Sequence, residues 1–248
     1  MITTTIAAAL SLVILSAEPP ASPVGQPTTE NQVTTSLDRL VMPDSPLKDG
    51  MKIVFFGDSI TEAGGYIQIL RQRLDEARPG HGIRLVNRGH SGYRVPMIQP
   101  LLQAEVLDEQ PDAVVIYIGI NDVWHHDKGK GTTEADYESG LRDLLNRCKS
   151  AGVPVVLCSP SLIGEMPRGS NPKDGMLDRY AAVSQRVAAE EGAVFCDLRA
   201  AFFGYLTEHK KDRSNAGVLT NDGVHMLPAG DALLIETMSV PVLTALGG

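Results

Sequence analysis

The chain has 248 residues, 43% of them hydrophobic, and a formal net charge of −8. That is enough apolar material for one sizeable core, and the length alone does not call for two domains. The acidic balance lacks the basic footprint of a nucleic-acid binder. The Lys128-Gly129-Lys130 and Lys210-Lys211 clusters read as solvated loop or helix ends.

Residues 6–17 (IAAALSLVILSA) form an apolar run too short for a comfortable membrane span. The run fits the core of a secretory signal peptide, with cleavage near Ala17 or Ala21, and so predicts a secreted or periplasmic protein. No basic residue precedes it, the first being Arg39, which leaves an uncleaved anchor or a misassigned start as alternatives. Residues 18–50 are rich in Pro, Thr and Ser and read as a linker. The end of that stretch, residues 37–42, has the apolar content of a short element that packs on the domain. The folded domain is expected over residues 51–248.

Within it, short β-branched apolar runs alternate with longer helical patterns. The runs are 52–57 (KIVFFG), 84–87 (RLVN), 113–119 (AVVIYIG), 154–159 (PVVLCS) and 193–198 (AVFCDL). Continuous apolar runs of this length suit strands buried on both faces. Helices are expected over 66–76, 96–109, 134–151, 175–191 and 228–246. Strand–helix alternation implies a parallel sheet of about five strands with helices on both faces. Ligands bind such sheets beyond the carboxyl ends of the strands. Cys148, Cys158 and Cys196 form neither a disulfide framework nor a zinc pattern and read as buried small hydrophobes, with a Cys158–Cys196 bridge between neighbouring strands as the alternative.

The unusual residues follow the first three runs. Gly57-Asp58-Ser59-Ile60-Thr61 places a serine at a strand-to-helix turn, where its hydroxyl faces outward and its N–H lies near a helix start. A helix cap by Ser59 or Asp58 explains the tripeptide equally well. Asn87-Arg88-Gly89-His90-Ser91-Gly92-Tyr93 offers two glycines that let backbone N–H groups approach a ligand, or else forms an ordinary turn. Gly119-Ile120-Asn121-Asp122 offers an amide that can donate to a developing oxyanion, or else a cap. Near the C-terminus, Asp222-Gly223-Val224-His225 has the spacing of a carboxylate that orients an imidazole base.

Taken together, in the order Ser, Gly, Asn, His, these blocks resemble the SGNH hydrolases, also called GDSL esterases and lipases, over residues 51–246. The resemblance implies a flavodoxin-like three-layer α/β/α fold. It implies Ser59 as nucleophile, His225 as base and Asp222 as its orienter. It implies an oxyanion hole from the Ser59 N–H, a glycine N–H and the Asn121 side chain. The family's glycine lies a few residues past the strand-ending Asn and follows a small residue, which selects Gly92 over Gly89. Leu85–Tyr93 and Asp222–Met226 are similar to the isoamyl-acetate-hydrolysing esterase subgroup, which suggests short-chain or acetyl esters. Carbohydrate O-acetylesterases, lysophospholipases and thioesterases of the same family are the alternatives, as is a secreted binding module on the same scaffold.

The expected partner is thus a small ester or an acetylated carbohydrate, with no nucleic acid, no stable membrane span and no metal or organic cofactor. A base of this kind acts as neutral imidazole, so activity is expected to fall at acid pH. A nucleophile elbow at Ser91 fails because Tyr93 occupies its last glycine position. A metal site at His125, His126 and Asp127 lacks further ligands at suitable spacing. The loops at 92–97, 123–133 and 161–178 are expected to shape specificity. Glu165 and Arg168 in the last of them are read as solvent-exposed, with contact to substrate as the alternative.

Overall fold

The computed structural model describes residues 35–247. The elements run α1 (Ser36–Val41), β1 (Lys52–Gly57), α2 (Ser59–Ala63), α3 (Gly65–Ala77), β2 (Arg84–Gly89), α4 (Val95–Ile98), α5 (Leu102–Glu105), β3 (Ala113–Tyr117) and α6 (Ile120–Trp124). They continue with α7 (Glu134–Ser150), β4 (Val155–Cys158), α8 (Asp174–Glu191), β5 (Val194–Cys196), α9 (Leu198–His209) and α10 (Pro228–Gly247).

All strand pairings are parallel, in the order β2-β1-β3-β4-β5. β1 and β3 are buried almost throughout, which is why both read as unbroken apolar runs. Helices pack on both faces, giving the three-layer α/β/α arrangement expected of the flavodoxin-like order. The chain leaves β1 toward β2 on one side and returns to β3 on the other. The crevice between the ends of β1 and β3 is therefore the topological switch point, where such sheets bind ligands. The register aligns the ends of three strands there: Gly57 pairs with Gly89 on one side and with Tyr117 on the other.

Several expectations change. The helix expected over 96–109 is broken into α4, α5 and two 3₁₀ turns, Gln99–Leu101 and Leu107–Glu109. Pro100 lies at the break, with no N–H to give and a ring that clashes with the preceding turn. Two helices had no sequence expectation: α6, a short turn just past a strand, and α9, capped by Asp197 accepting from Ala200 N at 2.9 Å; the helix start expected at Ser59 is the short α2, separate from α3. Cys158 and Cys196 are in register on neighbouring strands, and both are free buried thiols.

The folded unit begins before Met51. Residues 1–34, on which the expected signal peptide and the first half of the expected linker fall, lie outside the described residues. Thr35 caps α1 by accepting from Asp38 N at 3.1 Å, and Asp38 accepts from Thr35 N in return. The Glu236 carboxylate on α10 takes the next two orphan amides, Ser36 N at 2.6 Å and Leu37 N at 3.1 Å. Leu37, Leu40 and Val41 are buried with the core. Pro, Thr and Ser before this helix gave the stretch a linker's composition, but the apolar face of α1 had somewhere to go. α10 has the length and apolar character of a membrane span, yet Leu234, Ile235, Met238 and Val242 lie within the hydrophobic core.

If α1 is part of the domain, Leu40→Ala will cost roughly 2–5 kcal/mol, as for other fully buried leucines, read from the midpoint of urea unfolding. A substitution in a true linker would leave the midpoint in place.

Candidate active site

The first residues past β1 form a tight turn into α2. Asp58 caps that helix, accepting from Ile60 N at 3.0 Å, and Ser59 becomes the first helical residue. The helix-cap reading and the exposed-serine reading are both realised, by different residues. Asp58 supplies the cap, which leaves the Ser59 hydroxyl available. The Ser59 Oγ lies 3.0 Å from His225 Nε2. His225 Nδ1 lies 2.7 Å from Asp222 Oδ2.

The His225 ring is held by its own loop. Thr220 and Met226 form an antiparallel bridge, and Asn221 N donates to His225 O at 2.9 Å. Asp222 Oδ1 accepts from Val224 N at 2.9 Å and His225 N at 2.8 Å, leaving Oδ2 for the ring. Burial pushes the Asp222 carboxyl upward. The His225 ring and these two amides outweigh it and hold the group below the usual carboxylate range. An ionised carboxylate can only accept, so Nδ1 carries the ring proton and Nε2 is left to accept from the Ser59 hydroxyl.

The other two blocks meet at the same strand ends. His90 N donates to Gly57 O at 2.9 Å, joining the turn after β2 to the end of β1. Asn121, in the first turn of α6, donates from Nδ2 to Tyr93 O at 3.1 Å, which uses one of its two amide protons. Gly89 and Gly92 serve different needs. A Cβ on Gly89 would overlap the backbone of Thr61 and Glu62, so this glycine lets β2 and α2 pack together. Gly92 has φ +76° and open space around it. Among the described residues, neither its N–H nor that of Ser59 has an acceptor. Two unengaged backbone N–H groups and one side-chain amide proton are thus available around a hydroxyl linked to an imidazole–carboxylate pair. Such a set can activate a nucleophile and hold a developing oxyanion.

Beneath the site lie two buried carboxyls. Burial drives the Asp58 pKa up to about 7; Asp122 raises it further, while Ile60 N and His225 pull it down. Burial likewise raises Asp122 to about 6, opposed by Thr132 and the Val95 N–H. Trp124, the sole tryptophan of the sequence, stands edge-on to the His225 ring with centroids 6.2 Å apart. Nothing in the local pattern distinguished it from an ordinary core aromatic.

The rival nucleophile is placed elsewhere: Ser91 Oγ donates to the Glu62 carboxylate, and the neighbouring His90 ring faces Glu105 at 2.6 Å. Asp127 pairs with Lys173. In the 161–178 loop, Arg168 is exposed as expected and pairs with Asp178 at 3.1 Å. Glu165 is not exposed at all; it is fully buried and accepts hydrogen bonds from the backbone of residues 218–220. Arg199 anchors the same loop, donating to Ser161 O at 3.0 Å and to Asp174 Oδ1 at 3.1 Å.

Comparison with known proteins gives a match to the GDSL-like lipase/acylhydrolase family over residues 55–233. The chain belongs to this family. It is accordingly a serine-type carboxylic ester hydrolase, and its match takes in the Ser59, Gly92, Asn121 and Asp222/His225 blocks. Among curated relatives, an acetylxylan esterase of Geobacillus stearothermophilus is 34% identical over 62% of this chain and 78% of its own length. Esterase TesA of Pseudomonas aeruginosa is 25% identical over 75% of this chain and 85% of its own. Among solved structures, the acetyl xylan esterase AlAXEase superposes with a TM-score of 0.75 at 30% identity, covering 77% of this chain and 100% of that one. The Geobacillus enzyme superposes with a TM-score of 0.71 at 29% identity, covering 79% and 96%. Catalytic mutants of the latter replace a serine, an aspartate and a histidine by alanine, the last two separated by two residues.

The raised Asp58 pKa has a consequence for stability. Between the unfolded carboxylate pKa and about 7 the folded state binds the extra proton, so this group's contribution falls as pH rises through that window. Asp58→Asn keeps the accepting oxygen for Ile60 N and removes the titration. Its Tm relative to the parent is expected to be higher at pH 8 than at pH 5; equal differences at both values would show that Asp58 titrates normally.

Proposed function

We propose that this protein removes acetyl groups from O-acetylated carbohydrates by way of an acetyl-enzyme on Ser59. The observation that carries the catalytic part is the continuous hydrogen-bonded chain Ser59 Oγ–His225 Nε2, His225 Nδ1–Asp222 Oδ2. The carbohydrate part is supported by the two acetylxylan esterases among the relatives, one of which has catalytic mutants at a serine and at an Asp and His spaced as Asp222 and His225 are.

In this reading Ser59 Oγ attacks the acetyl carbonyl while its proton passes to His225 Nε2. Asp222 stabilises the imidazolium that forms. The tetrahedral oxyanion is held by the Ser59 and Gly92 N–H groups and the Asn121 amide. As the carbon–oxygen bond to the sugar breaks, His225 returns the proton to the leaving hydroxyl. Water, deprotonated by His225, then attacks the acetyl-Ser59 carbonyl, and acetate leaves as the proton returns to Ser59 Oγ. Every proton taken up is returned, so the cycle draws on no external acid or cofactor.

The apolar run at residues 6–17 belongs to this proposal as a secretory leader, which would bring the enzyme to polymeric substrate outside the cell. The support is compositional.

The test is turnover of p-nitrophenyl acetate and of acetylated xylo-oligosaccharides, alongside esters of longer acids. Ser59→Ala is expected to abolish turnover and covalent labelling by an organophosphonate, and Ser91→Ala to leave both intact. Loss of activity with Ser91→Ala alone would overturn the assignment. Activity on long-chain esters with none on acetylated sugars would overturn the substrate. Asn121→Ala is expected to lower kcat by about a hundredfold or more, the usual cost of one oxyanion donor, with KM changed far less.

A further inference from the structure

The loop that carries Asp222 and His225 is irregular. It is closed on itself by the Thr220–Met226 bridge and by bonds from Gly217 N to Thr220 O, Asn221 N to His225 O and Leu227 N to Leu219 O. Those bonds set the shape of the loop. They do not set where it lies on the domain, so that His225 meets Ser59 at hydrogen-bond distance, and to that one buried carboxylate contributes.

Glu165 is fully buried. Its Oε1 accepts from Leu219 N at 2.7 Å, Thr220 N at 2.5 Å and Thr220 Oγ1 at 2.8 Å. Its Oε2 accepts from Val218 N at 2.9 Å and from Lys210 Nζ at 3.4 Å. Three successive backbone N–H groups thus converge on one side chain, an anion-binding concavity that the protein fills with its own carboxylate. Two backbone bonds extend the clamp. Gly164 N donates to Gly223 O at 2.7 Å, inside the Asp222–His225 span, and Glu165 N donates to Asn215 O at 2.8 Å. Burial by itself would raise the Glu165 pKa. The Thr220 hydroxyl and the three amides reverse that and hold the carboxyl below its usual range.

Lys210 does not account for this arrangement. The lysine also pairs with Asp212 at 3.0 Å and donates to Ser214 Oγ at 2.9 Å, so it has acceptors of its own. Most of the acceptor capacity of Glu165 goes to residues 218–220. An apolar side chain at this position would leave the buried Leu219 and Thr220 N–H groups and the part-buried Val218 N–H without this acceptor.

We propose that Glu165 is a positioning residue for the reaction: it fixes residues 218–220 so that Asp222 and His225 reach Ser59 in register. Glu165 touches no reacting atom. It acts through the loop, and the proposal rests on the reading of His225 as base and Asp222 as its orienter. A displacement of about 1 Å at the reacting groups is enough to cost roughly a hundredfold in rate, so the loss of one clamp acts on the rate of the folded protein as well as on folding.

The experiment uses the full chain and compares Glu165→Gln and Thr220→Val with the parent. Glu165→Gln keeps the shape but turns an NH₂ toward Val218 N or toward the Leu219–Thr220 amides. Thr220→Val removes only the hydroxyl that donates to Oε1, and carries the test if the first variant does not fold. Turnover of p-nitrophenyl acetate is expected to show kcat lowered about ten- to hundredfold for Glu165→Gln and several-fold for Thr220→Val, with KM within about twofold. The low-field proton resonance of the His225 Nδ1–H bonded to Asp222 should weaken or broaden in step. A folded Glu165→Gln with unchanged kcat overturns the proposal, as does a kcat loss that leaves that resonance untouched. His225→Ala is measured in parallel: full activity there would overturn the reading of the base itself, a result distinct from either outcome at Glu165.

Discussion

The hydrogen bond between Ser59 Oγ and His225 Nε2 joins residues 166 positions apart. Neither end can place the other by local geometry. Ser59 is fixed from below, by a buried strand and by a cap that Asp58 supplies. His225 is fixed from the far end of the chain, by a loop with little regular structure. The sheet brings the two together: β1 is an interior strand that ends just before Ser59, and α10, which follows the His225 loop, packs on β3, β4 and β5. The central strands, the Gly57 alignment and the anchoring of the last loop all serve the few ångströms between these two side chains.

The site divides its carboxylates by environment. Asp222, partly exposed and bonded to the His225 ring and two amides, stays ionised. Asp58 and Asp122, buried beneath the site, are both pushed toward neutrality by burial, and Asp122 raises Asp58 further. Glu165 is closed off from solvent yet stays ionised, because the Thr220 hydroxyl and three backbone amides donate to it and outweigh the effect of burial.

Membership of the acylhydrolase family and similarity to acetylxylan esterases place the reaction type on firm ground, and the geometry explains how this chain would carry it out. The loops expected to shape specificity are less independent than their composition suggests. The 161–178 segment looks in sequence like a long irregular stretch free to vary. Arg199 and Glu165 tie its start to the body of the domain and to the loop that carries Asp222 and His225. Variation in this segment can thus reach the reacting groups without touching substrate.

The sequence by itself determined the alternation of buried strands and helices, the parallel sheet, and the identity of Ser59, Gly92, Asn121, Asp222 and His225 as the residues to watch. These are carried by local signals: apolar runs, glycine and asparagine at strand ends, and an Asp–His spacing within one loop. Tertiary structure alone decided the rest. It supplied the physical difference between Gly89, needed for packing β2 on α2, and Gly92, already favoured by the family resemblance, whose φ of +76° and free N–H suit it to a ligand. It drew α1 out of an apparent linker, because Ser36 and Glu236 become neighbours only once α10 has folded back. It also turned Glu165 from a surface residue into the buried anchor of a loop more than fifty positions away, since Glu165 and Leu219 lie 54 residues apart. A carboxylate in a polar stretch looks solvated in sequence. Its acceptors are satisfied by backbone amides whose approach depends on the whole chain, and no local pattern encodes that.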